Sequence, residues 1–274
     1  MGGQYPPSKR YTIGTLGCVE GKWWVRKASD LRPLVLKFVD FLDYGKGRMQ
    51  TEKVIALIFA IRDALQSREQ FEGVQQTISG LSALSLDRKK MLSLPPRTPP
   101  QFQSDLKAVV DHIPASLKTV ADAFSEAAPY LNWNADTNSS DGYYEAGSDL
   151  GKSYLEGNIS CRLVGPANSF VFSENLYLYL FFLRPCTLYR DHIHQASEVY
   201  FNLSGPCGFR LGDEDWVDYP GDSIIWNPPS RPHATRVYQT PFLSAVSWVS
   251  DLDSICRVIP RDDWQMLEAK LEPN

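Results

Sequence analysis

The chain has 274 residues, of which 43% are hydrophobic and 22% charged, and a formal net charge of -4. This composition is typical of a globular protein with a substantial core, and the acidic balance gives no electrostatic reason to expect nucleic acid as a partner. The longest apolar run, residues 175–183, has the length of a strand and is far shorter than the roughly 18 residues that a membrane span requires. The N-terminus has no apolar signal core, and the five cysteines are scattered without a paired motif. We therefore expect a cytoplasmic protein with reduced thiols.

The first half of the chain has helical periodicity. Apolar residues recur at three- and four-residue spacing between about residues 28 and 130, which favours amphipathic helices. The predicted helices are 29–45, 51–73 and 105–131, and Pro114 is expected to break or kink the last of them. We therefore predict an N-terminal, mostly α-helical region over residues 1–130.

The second half has the pattern of a β domain. From about residue 150, short runs rich in Val, Ile, Leu, Phe and Tyr alternate with Gly, Pro, Asn and Asp. The predicted strands are 160–164, 176–183, 197–203, 207–211, 223–226, 234–238 and 242–249. Such spacing favours an antiparallel sandwich or barrel. The predicted fold class is thus α+β, with a β-barrel domain over residues 131–274.

The stretch YRDHIHQASEVY, residues 189–200, places His192, His194, Glu198 and Tyr200 at even positions. Side chains alternate between the two faces of a strand, so these four would point to the same side of one extended segment. His233 would join them from a neighbouring strand. Imidazole and carboxylate groups bind zinc, iron, manganese, cobalt or nickel. We predict one divalent transition metal per chain, of undetermined identity, held by His192, His194, Glu198 and His233.

Two longer motifs surround these residues. His192, His194, Glu198 and Gly205 satisfy H-x-H-x3-E-x6-G, and Gly221, Asp222, Pro228 and His233 satisfy G-D-x5-P-x4-H. Both resemble the motifs of the cupins, which implies a double-stranded β-helix (jelly-roll) barrel with a metal inside it. Cys186, Ser230 and Val237 stand where that superfamily usually has Gly, Gly and Asn.

Tyr189 and Tyr200, on either side of the histidine motif, narrow the resemblance from the superfamily to one family within it. The pattern Tyr189-x2-His192-x-His194-x3-Glu198-x-Tyr200 is similar to the signature of the cupin-type dimethylsulfoniopropionate (DMSP) lyases, as are the segments CRLVGPAN and RPHATRVYQTPFLSAVSWVSDLD. The resemblance implies a carbon–sulfur lyase of the dimethylpropiothetin dethiomethylase type. Such an enzyme cleaves DMSP to dimethyl sulfide and acrylate by β-elimination, with the metal binding the substrate carboxylate.

Within that resemblance, Tyr200 is the expected general base, because a nearby cation would favour its phenolate. Tyr189 has the opposite phase unless the strand is bulged or begins after it, so we expect it to support catalysis, for example by positioning the substrate. The aromatic faces of Tyr179, Trp226 and Trp248 are candidates for binding the sulfonium group.

The expected partner is a small-molecule substrate, with no nucleic acid and no membrane, and a homodimer is left open. Two other functions remain compatible with the same ligands. One is an Fe(II)-dependent cupin dioxygenase, which would not need Tyr200. The other is a non-catalytic cupin that binds a small molecule such as a sugar or an effector.

Overall fold

The computed structural model describes residues 18–19, 22–23, 49–70, 72–85, 91–137 and 143–272. The chain divides into two units, Met1–Gly47 and Arg48–Asn274. In the first unit the described part is an antiparallel pair of two-residue strands, β1 (Cys18–Val19) and β2 (Lys22–Trp23). The predicted helix over residues 29–45 lies outside the described residues.

The helices of the second unit precede, interrupt and follow its strands. They are α1 (residues 49–66), α2 (Glu72–Ser82), α3 (Gln103–Ala108), α4 (Lys118–Ala127), α5 (Lys152–Gly157) and α6 (Trp264–Leu271).

The helix predicted over residues 51–73 corresponds to α1, which ends at residue 66, whereas α2 begins at Glu72 as a separate helix that was not predicted. The Arg68 guanidinium donates a hydrogen bond to the carbonyl of Ala64 in the last turn of α1, and so satisfies a carbonyl that a continuing helix would have used. As predicted, Pro114 interrupts the next segment, where α3 and α4 are separated by short 3-10 turns.

The described strands of the second unit form two antiparallel-rich sheets. They are β3 (Asn158–Gly165), β4 (Val171–Phe172), β5 (Tyr177–Leu183), β6 (Thr187–Ile193), β7 (Glu198–Asn202), β8 (Cys207–Leu211), β9 (Val217–Tyr219), β10 (Ile224–Asn227), β11 (His233–Val237), β12 (Phe242–Trp248) and β13 (Arg257–Val258). One sheet has the order β10-β7-β12-β5-β3-β4 and the other the order β13-β6-β11-β8-β9. The predicted α+β fold with a cupin barrel is confirmed.

The residues of the central motif do not share one strand, contrary to our prediction. His192 lies on β6 of the five-stranded sheet, whereas Glu198 and Tyr200 lie on β7 of the six-stranded sheet. His194 lies in the connection between them. The chain therefore turns a corner of the barrel within this motif, and the corner brings the candidate ligands from both sheets to one place.

Three hydrophobic clusters place the helices relative to the barrel. The largest joins α1, α2 and α4 to the outer face of the six-stranded sheet, for example Leu57 and Val120 with Leu178. The second fills the space between the sheets, and the third packs α6 against the outer face of β6. Because the largest cluster contains residues from both sides of residue 130, the helices after Gly47 and the barrel share one core.

Among the described residues, no helix combines the length and the apolar composition that crossing a bilayer requires.

Candidate metal centre

The three motif histidines converge in the barrel interior. His192 pairs directly with His233 across β6 and β11, and His194 follows β6 by one residue. Each is at most 3% exposed. One nitrogen from each ring can be chosen such that all three lie within 4.8 Å of one another, which is compatible with a shared metal ion.

Glu198 completes this group from the opposite sheet. Its Oε2 atom lies 3.3 Å from Nε2 of His194 and 3.1 Å from Nε2 of His233. Nε2 of His194 and Oε2 of Glu198 are buried and have no hydrogen-bond partner among the described residues. Two ligand atoms that share an ion at about 2.1 Å are themselves about 3.0–3.4 Å apart. The spacing therefore fits a cation between these atoms.

The hydrogen bonds of the imidazole rings select the tautomer that a metal requires. Nδ1 lies 2.8 Å from the carbonyl oxygen of Arg190 in His192, 3.1 Å from that of Ala196 in His194 and 3.0 Å from that of Arg231 in His233. A carbonyl only accepts, so each Nδ1 carries the proton and each Nε2 keeps its lone pair. Without a cation, acceptor atoms would face each other in the middle of the site.

Asn227 adds a further contact to Nδ1 of His233, at 2.6 Å from its amide nitrogen. The amide oxygen of Asn227 is buried and has no partner among the described residues. A half-turn of the amide would exchange the two atoms, satisfy this oxygen and agree with the tautomer of His233. The surroundings of all three histidines therefore favour an open Nε2.

Burial and neighbouring charges determine how the ligands titrate. Burial, followed by the nearby His233 and His194, holds the pKa of His192 well below its ordinary value. Burial alone would raise the pKa of Glu198, but the neighbouring His194 and His233 hold it well below its ordinary value. A neutral imidazole and an ionised carboxylate are the forms that bind metals.

The second carboxylate oxygen of Glu198 is held by two aromatic residues that the sequence analysis had named. Oε1 accepts hydrogen bonds from Nε1 of Trp248 at 2.8 Å and from the hydroxyl of Tyr179 at 3.2 Å. These bonds leave Oε2 directed at the histidines. Trp248 also covers the ring of His194, with ring centroids 4.6 Å apart.

Tyr189 faces the same side as His192, which is the exception to alternation that a bulged strand allows. The two rings are stacked, with centroids 3.9 Å apart and planes at 23°. The cause is a β-bulge: His192 pairs with His233 and Tyr189 with Thr235, so β6 has one residue more than β11 between these pairs. The extra residue restores the phase of Tyr189.

Tyr200 lies two residues after Glu198 on the interior face of β7. It is 2% exposed, and its ring centroid is 6.4 Å from that of His233 and 5.2 Å from that of Phe209. Burial, followed by the negative charge of Glu198, raises the pKa of Tyr200 well above its ordinary value.

Trp226 lies outside the barrel interior, contrary to its predicted contact with the substrate. It pairs with Val199 on the edge of the six-stranded sheet, and a β-carbon on Gly73 of α2 would clash with both side chains. Alternation along β10 turns Ile225 inward and Trp226 outward, toward the helices.

The interior also contains residues that the sequence analysis did not single out. Tyr144 and Tyr154 precede the barrel strands, and both are buried beside Tyr189. Asp136 lies at the end of the same group. Only the adjacent tyrosines in the segment DGYYEAG hinted at them, because no motif links these positions to the ligands.

Comparisons with known proteins identify the family of this chain. A family model described as dimethylsulfoniopropionate lyase matches residues 73–244. The chain is 29% identical over 208 residues to the dimethylsulfoniopropionate lyase DddQ of Ruegeria pomeroyi, a match that covers 75% of this chain and 94% of that protein.

Solved structures are similar in fold. A chain from the crystal structures of the DMSP lyases RdDddP and RnDddQII aligns with a TM-score of 0.58 at 20% identity, covering 78% of this chain and 100% of that chain. The crystal structure of DddQ from Ruegeria pomeroyi aligns with a TM-score of 0.54 at 23% identity, covering 74% and 94%. Because the family model spans more than half of its length, the chain belongs to the dimethylsulfoniopropionate lyase family, a family of carbon–sulfur lyases.

Proposed function

We propose that this protein cleaves DMSP to dimethyl sulfide and acrylate by β-elimination, with Tyr200 as the general base. The observation that carries the proposal is the convergence of the buried acceptor atoms of His194, His233 and Glu198 beside Tyr200, in a member of this family. The reaction needs positive charge at a carboxylate and a base within reach of the neighbouring carbon, and this site can provide both.

His192, His194, Glu198 and His233 would hold one divalent metal ion. When bound, the ion supplies a Lewis acid that withdraws charge from the substrate carboxylate and makes the adjacent carbon–hydrogen bond more acidic. The exposure of these four side chains is at most 3%, so the site is shielded from bulk water, which strengthens electrostatic interactions within it.

Tyr200 would accept the proton from the carbon next to the carboxylate. The electron pair of that carbon–hydrogen bond forms the double bond of acrylate, and the pair of the carbon–sulfur bond leaves with dimethyl sulfide. Burial and Glu198 raise the pKa of Tyr200, so its phenolate requires positive charge held at Glu198. Tyr200 can therefore act as a base only when the four proposed ligands hold a cation.

The aromatic residues around Glu198 would receive the other end of the substrate. Trp248 and Tyr179 flank the carboxylate from one side and Tyr189 covers His192. An aromatic face attracts a cation by about 0.5–2 kcal/mol. We assign the sulfonium contact to Trp248 and Tyr179, and the positioning of the substrate to Tyr189.

Proton NMR of an oxygen-free reaction tests this function. Purified protein supplied with a divalent metal should convert DMSP to equal amounts of dimethyl sulfide and acrylate, and His194→Ala should convert none. Intact DMSP with every divalent metal tried would overturn the proposal. Loss of DMSP only after oxygen is admitted to the reaction would instead favour an Fe(II)-dependent dioxygenase.

A further inference from the structure

A chain of hydrogen bonds leads from the metal centre toward the surface of the protein. The hydroxyl of Tyr189 lies 3.0 Å from that of Tyr144, and the hydroxyl of Tyr144 lies 2.7 Å from that of Tyr154. The hydroxyl of Tyr154 lies 3.1 Å from Oδ2 of Asp136. None of these groups is a predicted metal ligand, and the elimination itself uses neither Tyr144, Tyr154 nor Asp136.

The hydrogen bonds between these side chains all run in one direction from donor to acceptor. A carboxylate can only accept, so Tyr154 donates to Asp136 and its lone pairs accept from the hydroxyl of Tyr144. Tyr144 has then used its proton, so it accepts from Tyr189. Every hydroxyl therefore donates outward, which is the arrangement that can pass a proton from the interior to the carboxylate.

Along these hydrogen bonds, from Tyr189 outward, the linked residues change from buried to half-buried. Tyr189, Tyr144 and Tyr154 are at most 5% exposed, whereas Asp136 is half-buried. Asp136 is also fixed in place, because its backbone N–H donates to the side chain of Asn158 at 2.8 Å and its carbonyl accepts from that side chain at 3.2 Å. The outer end of the chain is thus a positioned carboxylate that reaches solvent.

We propose that this chain carries the proton released by each turnover from the barrel interior to Asp136, and from there to solvent. The inference rests on the proposed elimination, which leaves one proton on the buried Tyr200. Water that enters as the products leave takes this proton and passes it to Tyr189. Tyr189, Tyr144 and Tyr154 each pass on their own proton, and Asp136 gives one to bulk water. One proton enters the chain and one leaves it, with no change in oxidation state.

The tyrosines suit this role because they stay neutral. Burial raises the pKa of Tyr144 and of Tyr154 well above the ordinary value. A hydroxyl that resists ionisation can still accept one proton while it donates another. Asp136 would be a positioning and proton-accepting group that does not touch the substrate.

Asp136→Asn is the decisive variant. The amide oxygen can still accept the hydrogen bond of Tyr154, and the backbone bonds to Asn158 are unchanged, but an amide cannot take up the proton. Tyr154→Phe breaks the chain one step further in. Tyr219→Phe is the matched control, because Tyr219 is a half-buried tyrosine in contact with Phe209 of the same interior cluster and lies outside the chain.

Rapid-quench measurement of dimethyl sulfide from the metal-loaded protein separates the steps. We expect Asp136→Asn to form the first equivalent of product at the wild-type rate and then to turn over about tenfold or more slowly. At fixed pH and ionic strength, rising concentrations of a morpholine-sulfonate buffer should restore its steady-state rate. Tyr154→Phe should show the same burst with little rescue, and Tyr219→Phe should match wild type.

Two results would overturn the relay while leaving the elimination in place. One is wild-type steady-state turnover in Asp136→Asn. The other is equal slowing of its first and later turnovers without buffer rescue, which would indicate a purely structural role. If wild-type protein forms no dimethyl sulfide at all, the proposed function fails, and the relay fails with it.

Discussion

Trp248 shows how a single residue outside the proposed ligand set can orient a group of the candidate metal centre. Its indole N–H binds Oε1 of Glu198 at 2.8 Å, so the carboxylate presents Oε2 to the histidines. We expect Trp248→Phe to lower metal affinity by about 10- to 100-fold, as the loss of an outer hydrogen bond to a ligand typically does. Competition with a fluorescent chelator measures this affinity.

Tyr177→Phe is the control for that variant. Tyr177 contacts the ring of Trp248 edge to face, with centroids 6.3 Å apart, and its substitution changes the same aromatic group. Its metal affinity should equal that of wild type. Equal losses in both variants would attribute the effect to packing rather than to the hydrogen bond with Glu198.

His192 makes the metal-free protein sensitive to acid. Burial, together with His233 and His194, lowers the pKa of His192 in the folded state, so below a pH of about 6.5 the unfolded chain binds more protons than the folded one. The free energy of unfolding should then fall as the pH drops through this value, by up to about 1.4 kcal/mol per pH unit.

Urea denaturation of metal-free protein between pH 8 and 5 measures this slope. His192→Gln should flatten it, and His112→Gln should not, because His112 is exposed on a helical turn. An unchanged slope in His192→Gln would contradict the assignment.

The four candidate ligands could be identified from the sequence because they occur at the spacing of two short motifs. His192, His194, Glu198 and His233 are brought together as predicted. Tyr189 and Trp226 could not be placed in the same way. The phase of Tyr189 depends on an extra residue in β6, and the direction of Trp226 depends on α2 covering the outer face of the sheet. Both orientations depend on neighbouring elements, and the periodicity of one segment carries no information about its neighbours.

At the level of secondary structure elements, the close packing of α2 against the six-stranded sheet requires a glycine. A β-carbon on Gly73 would lie 2.6 Å from Cγ2 of Val199 and 2.7 Å from Cδ1 of Trp226. We expect Gly73→Ala to destabilise the protein by about 1–3 kcal/mol, because overpacking outweighs the gain in helix propensity.

Gly80 of the same helix provides the comparison for this substitution. Its β-carbon would meet the end of the flexible Leu176 side chain at 3.2 Å. We expect Gly80→Ala to be neutral or stabilising by up to about 1 kcal/mol. Thermal unfolding of both variants tests the close approach of Gly73 to Val199 and Trp226. Equal stability of the two variants would exclude this close approach.

Seven strands were predicted to within a few residues, whereas β4, β6, β9 and β13 were not among the predicted strands. β4, β9 and β13 have two or three residues, which is too short for alternation to show. β6 has seven residues, but it was not recognised as a strand separate from β7. The corner between β6 and β7 was missed because alternation continues across it. Cys186 and Ser230, which replace the glycines of the motif, adopt φ angles of 61° and 62°. The backbone therefore keeps the conformation that favours glycine at both places.

At the scale of the whole molecule, the second unit is built as layers around the barrel interior. Helices cover one sheet, α6 covers the other, and the candidate metal centre lies between the sheets. Ligands come from both sheets, so a bound ion would link them. Composition predicted a globular protein with a large core, but it could not show that the helices after Gly47 share their core with the barrel.

Binding of an ion to both sheets should stabilise the fold. At a concentration about 100-fold above Kd, a ligand that binds only the folded state adds about 2.7 kcal/mol to the free energy of unfolding. We expect a divalent metal to raise the Tm of chelator-treated wild type and to leave that of His194→Ala unchanged. A similar increase in both proteins would place the ion elsewhere.

The measurement that tests the central claim most directly is headspace gas chromatography of dimethyl sulfide. Wild type, Tyr200→Phe and His194→Ala would be compared at equal concentration with DMSP and the same metal supply, with metal content determined for each. The account predicts strong release by wild type, a loss of about 100-fold or more in Tyr200→Phe with its metal retained, and a comparable loss in His194→Ala with its metal gone. Release by metal-loaded Tyr200→Phe at the wild-type rate would contradict the tyrosine base.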